Sequence, residues 1–398
     1  MDSRAVWRIV AIVAMAQLGY ATILPLLPLY LTERLGASVK LVGAVIATFA
    51  LVETFFKTAW GGLADRLGRR PVMITGMLLS AAAPLVMAAL RTPLLFVPLR
   101  LMDGMGSAAL WPSAAAAVAD VTTSERRATG MALLNLAFLG GIAAGPSLGL
   151  FVAGFAGDFR AGFYLASGLL LLAALLTVAL IPADPPDDHA GSRGADGHPA
   201  RRPSPGALAA SVRASPALFA LYLIAFAQMF GAGLLVPIAA IYAKQVVGLT
   251  EHAIGVLFLV ITASVALATI PAGRVADRLG RGPLVIAGTV LGALGMWLIP
   301  FSRHLTWLAA GGILLGSSYA LTMPAWLALV TERAPQGSLG LAVGASETVQ
   351  GMGLVLGPLV GGLLWDALGP QAPFLASAAA LSASALLAAS ALGRGDHG

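Results

Sequence analysis

Residues 61–71 read Gly61-Gly-Leu-Ala-Asp65-Arg66-Leu-Gly68-Arg69-Arg70-Pro71, and residues 273–283 read Gly273-Arg-Val-Ala-Asp277-Arg278-Leu-Gly280-Arg281-Gly-Pro283. The second stretch repeats the first at an offset of 212 residues. Three other landmarks share that offset. Pro25 to Tyr30 maps onto Pro237 to Tyr242, Gly104 and Pro112 map onto Gly316 and Pro324, and Gly145-Pro146 maps onto Gly357-Pro358. A single offset for four separated landmarks means that the chain is built of two halves related by duplication.

Composition says what those halves are. Of 398 residues, 58% are hydrophobic and 11% charged, with a mean hydropathy of +0.88. A soluble domain carries about 25% charged residues, so this chain falls in the membrane class. Its 47 glycines and 24 prolines agree, both being commoner in membrane helices. The net charge of +6 does not point to nucleic acid, because the basic residues are scattered in short clusters between apolar runs. Cysteine is absent, which removes thiol-based metal and redox chemistry. Arg4 and Arg8 precede an apolar stretch in the manner of a signal peptide, but that stretch reaches Leu31 without a cleavage site and reads as a first membrane helix.

Runs of about 20 apolar residues suffice to cross a bilayer as helix. They lie near 6–31, 39–62, 72–90, 94–118, 128–153 and 161–181, then near 216–243, 252–274, 284–301, 305–330, 339–365 and 371–392. The expected fold is an all-α membrane protein of twelve transmembrane helices. Two six-helix bundles, 1–182 and 215–398, flank a Pro-, Gly- and charge-rich linker at 183–214. Six spans per half give both halves the same orientation, with a pseudo-two-fold axis along the membrane normal. With the N-terminus inside, sixteen lysines and arginines lie inside and six outside, leaving Lys57 and Arg100 in the membrane. Both termini are therefore expected on the cytoplasmic side.

These residues resemble the major facilitator superfamily, and within it the drug:proton antiporter group, over nearly the whole chain. Gly61, Asp65, Arg66, Gly68, Arg69 and Arg70 match the family's loop signature between spans 2 and 3, and Asp277, Arg278 and Arg281 carry a second copy. The resemblance implies that this loop latches the cytoplasmic side. Gly141, Gly145, Pro146 and Gly149 resemble the helix signature of antiporters, with Leu150 where the pattern ends in glycine; span 11 holds a full version from Gly353 to Gly362. Arg100, Asp103, Gly104 and Gly106 are similar to a span-4 motif linked to proton coupling, in which the family usually has Gln at the position of Asp103. The resemblance also implies a bacterial cytoplasmic membrane and a monomer.

Ionisable groups at membrane depth are costly and functional by default. Five occur: Glu53 and Lys57, Arg100 and Asp103, and Glu347. The first two pairs are four and three residues apart, on one helix face. Glu347 has no basic residue within four positions and is expected to trade protons or meet a cationic solute. All five histidines fall in loops or tails, so the proton-coupling candidates are Glu347, Asp103, Arg100, Glu53 and Lys57, and no metal site is expected. Candidates to line a solute cavity are Gln17, Tyr20, Trp111, Asn135, Gln228, Tyr319, Trp326 and Gln350.

The expected function is proton-coupled export of small amphipathic or drug-like solutes by alternating access, with the proton gradient as energy source and no cofactor. The residues also leave open an uptake symporter or a facilitator of a metabolite or lipid. A polytopic enzyme or a sensor is disfavoured, since no HExxH, GxSxG or Walker pattern appears and the loop signature and membrane charges are present.

Overall fold

The structure, a computed structural model, describes residues 3–123, 125–182, 216–334 and 339–392. The expected linker therefore lies outside the described residues. Twelve long helices follow the twelve apolar runs: α1 (Ser3–Leu29), α2 (Val39–Leu67), α3 (Arg69–Ala89), α4 (Phe96–Asp120), α5 (Arg127–Ala156), α6 (Phe159–Leu180), α7 (Pro216–Leu235), α8 (Glu251–Leu279), α9 (Arg281–Leu298), α10 (Leu305–Arg333), α11 (Leu339–Leu368) and α12 (Ala372–Leu392). A π-helical turn follows α1 at Tyr30–Arg34, and its counterpart follows α7 at Tyr242–Val246.

Eleven of the twelve are long and apolar enough to cross a membrane. The exception is α4, whose 25 residues suffice in length but include Arg100 and Asp103. Large apolar side chains stand exposed along these helices, among them Phe55, Phe155, Leu175 and Leu386. Surfaces of that kind are unstable in water and expected in lipid.

The chain divides into two compact units. In the first, α1 packs on α5 and α6, and α3 packs on α4 and α6. In the second, α7 packs on α11 and α12, and α9 on α10 and α12. These are the same pairings advanced by six helices, so the duplication in sequence is a duplication of packing. Small landmarks repeat too. Tyr30 donates from its hydroxyl to Leu90 O and stands edge-on to Phe163; Tyr242 donates to Pro300 O and packs on Phe374.

The units depart from the expected 1–182 and 215–398 at two short segments. Residues 38–43 group with the second unit, where the Asp366 carboxylate accepts from the backbone N–H groups of Val39 and Lys40. Residues 250–255 group with the first, where the His252 ring lies 4.7 Å from that of Phe155.

Two turns explain the glycines of the repeated loop. Gly68 caps α3 at φ 92°, ψ 158°, and Gly280 caps α9 at φ 82°, ψ 171°. Only glycine occupies that region without strain of about 1–3 kcal/mol. The turns are therefore fixed by the residue type at one position in each half.

Candidate functional site

Position 103 lies in the third turn of α4, and both it and Arg100 are buried, at 1% and 4% exposure. Their i, i+3 spacing places both side chains on one helix face, and the Arg100 guanidinium donates to Asp103 Oδ2 as an ion pair. The guanidinium carbon also lies 3.9 Å from the centre of the Phe49 ring of α2, a cation–π contact. Ser80 of α3 donates from its hydroxyl to the Asp103 backbone carbonyl at 3.0 Å, and Glu53 of α2 and Tyr20 of α1 complete the surroundings. Four helices thus converge on one charge pair.

That pair is incompletely satisfied. Asp103 Oδ1 and Arg100 Nε are buried without a hydrogen-bond partner among the described residues. A buried ion pair stabilises only when its remaining lone pairs and protons are met, and a half-satisfied network is where a water or a proton has most to gain. The glycines of α4 permit the crowding. A Cβ on Gly104 would stand 2.8 Å from Phe49 O, and one on Gly106 would stand 2.9 Å from Ser80 N.

The second membrane pair also forms. Lys57 Nζ lies 3.2 Å from a Glu53 carboxylate oxygen, with the side chains 46% and 25% exposed. The two pairs are therefore unlike: one is dry, the other partly open. Glu347, on α11, is exposed and makes no ion pair among the described residues. By the 212 offset its counterpart is Asn135 on α5, likewise exposed. The halves thus differ at this matched position by one carboxylate against an amide. Neither Arg100 nor Asp103 has a charged counterpart, since the matched positions are Gly312 and Leu315.

In the repeated loop, Arg69 donates to Asp65 Oδ1 at 2.6 Å and to Ala64 O at 2.8 Å, and reaches Asp120 Oδ2 at the end of α4 at 3.3 Å. Arg70 donates to Val178 O near the C-terminus of α6 at 2.7 Å, a favourable place for a cation. Asp65 and Arg66 are exposed, and Asp65 meets Arg69. In the second half Arg281 pairs with Glu332 at the end of α10. Arg69 with Asp120 and Arg281 with Glu332 are the same contact 212 residues apart. Sequence reasoning missed both carboxylates, although the offset itself would have paired them. Asp277 and Arg278 lie outside the residues whose side chains the structure describes.

The antiporter-type glycines form a contact face. On α5, a Cβ at Gly141 would meet Gln17 Cβ at 2.5 Å, one at Gly145 would meet Ala21 Cβ at 2.5 Å, and one at Gly149 would meet Thr22 O at 2.6 Å, all on α1. On α11, Gly353, Gly357 and Gly361 face α7 in the same manner. These rows let helix backbones approach closely. Pro146 is buried beside them, and so is Leu150, which stands where the family pattern has glycine.

Of the expected solute-facing residues, Trp326 is a core residue at 3% exposure, its indole N–H donating to Leu221 O at 2.9 Å. That correction has a simple cause: an apolar ring with a satisfied N–H packs as well inside a bundle as against a solute. Tyr20 is also buried, beside the α4 pair. Trp111 is half-buried and edge-on to Phe138 with ring centres 5.0 Å apart. Gln17, Gln228 and Gln350 are half-buried, and Asn135 and Tyr319 exposed. Among the described residues no group of three metal-ligating side chains occurs.

Comparison with known proteins bears on the family and the fold. The family model described as Major Facilitator Superfamily matches residues 9–229 and 221–397. Multidrug resistance protein 2 of Bacillus subtilis (strain 168) is 24% identical over 361 residues, covering 90% of this chain and 88% of that one. The class E tetracycline resistance protein of Escherichia coli is 25% identical over 372 residues, covering 92% and 89%. A crystal structure of a point mutant of the nucleoside transporter NupG superposes with a TM-score of 0.80 at 14% identity over 97% of this chain and 99% of that one, which speaks to the fold alone. Twelve long helices among the described residues, in two repeated units, a loop signature present twice and a family match along nearly the whole chain identify an integral multi-pass membrane protein belonging to the Major Facilitator Superfamily.

Proposed function

We propose that this chain is a secondary transporter that exports small drug-like solutes in exchange for protons, by alternating access. The observation that carries the proposal is the buried Arg100–Asp103 pair with an unmet carboxylate oxygen and an unmet guanidinium nitrogen. An ion pair kept at membrane depth is costly, and leaving it partly unsatisfied is worthwhile only where a proton or a solute exchanges with it. Glu53 and Lys57 lie on the adjoining face of α2, and Glu347 supplies a separate exposed carboxylate in the second half.

In this mechanism a proton and a solute compete for the carboxylates. Protonation of Asp103 would release Arg100 to Phe49 and Glu53; loss of that proton restores the pair. Glu347 would carry the second exchange, with a cationic solute as its competitor. The loop ion pairs at Arg69 and Arg281 hold helix ends on the side that the basic residues mark as cytoplasmic. Relatives named for multidrug and tetracycline resistance support export of such solutes. The proton gradient is the proposed energy source, and no cofactor is required.

Efflux of a fluorescent lipophilic cation from cells expressing the chain tests the proposal. Export abolished by a protonophore and by Asp103→Asn supports it. Accumulation that rises with expression indicates an uptake carrier instead and overturns it.

A further inference from the structure

Three arginines meet at the end of the first unit remote from the Gly68 turn. Arg34 closes the π-turn after α1, Arg91 lies just beyond α3, and Arg160 sits in the first turn of α6. With Tyr30, Leu35 and Asp158 they line a cavity of about 400 Å³. Within this lining three guanidinium groups face one carboxylate, and that carboxylate is engaged: Asp158 Oδ1 accepts from the Arg160 backbone N–H at 3.0 Å, capping α6. Glu33 and Glu251 line the adjoining cavity, which shares Arg34 and Asp158. None of the three arginines forms an ion pair among the described residues. Arg34 and Arg91 are exposed and Arg160 half-buried. Like charges gathered in one cavity repel, although the Tyr30 hydroxyl meets Arg160, and planar guanidinium forks match phosphate oxygens two at a time.

The duplication supplies a control. Positions 34, 91 and 160 correspond to Val246, Arg303 and Ala372, whereas Tyr30 keeps its counterpart Tyr242 and the same style of hydroxyl-to-carbonyl bond. The fold therefore forms this end of a bundle without the cluster. Arg34 and Arg160 are additions to the first half, whereas Arg91 keeps an arginine at the matched position, and it is the gathering of three that the other half lacks.

The surroundings separate a lipid from a soluble anion. Leu85 and Val86 precede Arg91 on α3, Leu94 and Leu95 follow it, and Tyr164 lies one turn after Arg160 on the same face of α6; all five are exposed. A cationic cavity bordered by exposed apolar side chains fits a molecule whose phosphate is joined to hydrocarbon. We propose that this cavity binds the headgroup phosphate of one anionic phospholipid. The distribution of basic residues puts it at the outer membrane interface.

The test uses the full chain in detergent, titrated with phosphatidylglycerol or phosphatidylcholine and read by native mass spectrometry. Wild type should retain one phosphatidylglycerol that Arg34→Gln/Arg91→Gln binds about thirtyfold more weakly, at one factor of roughly five per arginine. Arg303→Gln, the matched position of the other half, should bind as wild type does, and phosphatidylcholine should not discriminate among them. Equal phosphatidylglycerol retention by wild type and the double variant overturns the proposal. So does an equal loss in Arg303→Gln, which would mean a general charge effect. Displacement of the retained lipid by millimolar inorganic phosphate would assign the cavity to a soluble anion and refute the lipid. Should the double variant unfold in phosphatidylcholine, Arg91→Gln alone, at an exposed position, gives the same reading with about a fivefold effect.

Discussion

Replacing Asp103 with leucine strands the Arg100 guanidinium in a dry site, and replacing Arg100 with methionine strands the Asp103 carboxylate. Each partner is under 5% exposed, so solvent reaches neither group freely enough to compensate. Removing one member of such a pair costs about 3–5 kcal/mol, whereas replacing both with apolar groups of similar volume is close to neutral. For a folding unit of this size, 1 kcal/mol moves the melting temperature by roughly 2–4 °C. Each single variant should then melt about 6–20 °C below wild type, and Arg100→Met/Asp103→Leu within a few degrees of it. The readout is intrinsic-fluorescence unfolding in detergent, followed through the protein's seven tryptophans. The coupling from the double-mutant cycle isolates the pair from the other contacts of each residue. Single variants within 2 °C of wild type, or a double variant whose loss is the sum of the two, would refute the claim that the pair is dry and mutually dependent.

Three further outcomes follow from the packing of the helices and their turns. Gly145→Val should lose about 1–3 kcal/mol by overpacking, since even a Cβ would lie 2.5 Å from Ala21 Cβ; Ala21→Gly should restore part of it. Gly357→Val in the matched contact leaves no side chain to trim, because its neighbours are the Gly233 backbone atoms at 2.6 Å; unfolding temperatures of Gly145→Val, Gly145→Val/Ala21→Gly and Gly357→Val check both statements. Gly68→Ala should cost about 1–3 kcal/mol for its φ of 92°, against no measurable change for Gly140→Ala, where a Cβ meets nothing within 4 Å. Asp120→Asn should move stability by under about 1 kcal/mol, its ion pair being more than half exposed on that side; a slowed transport rate with unchanged melting would place it in the loop's switching role.

The twelve helices and the repeat were legible because each rests on a signal spread over many residues. Twenty apolar positions set a span, and an offset shared by distant landmarks sets a duplication. The α4 charges were legible for the opposite reason: two ionisable residues in an apolar run stand out singly, and their i, i+3 spacing gives the pairing without tertiary information. What escaped the sequence is contact between helices. Phe49 and Ser80 are ordinary residues in α2 and α3, and only packing brings them to Arg100 and to the Asp103 carbonyl. Asp120 and Glu332 look like solvated helix ends until the loop arginines reach them. Trp326 was ambiguous because an aromatic residue in a membrane helix carries the same letter whether it packs or binds; its bond to Leu221 O shows it packed in the core.

Proton exchange coupled to solute movement is the central claim, and solute-driven proton flux in sealed proteoliposomes tests it most directly. With an imposed pH gradient and a pH-sensitive dye inside, a panel of lipophilic cations, neutral drugs and sugars would be added to wild type, Asp103→Asn and Glu347→Gln. The account predicts proton movement on addition of a lipophilic cation to wild type and its loss in both variants. Solute movement in wild type without any proton flux, or undiminished flux in both variants, would contradict it.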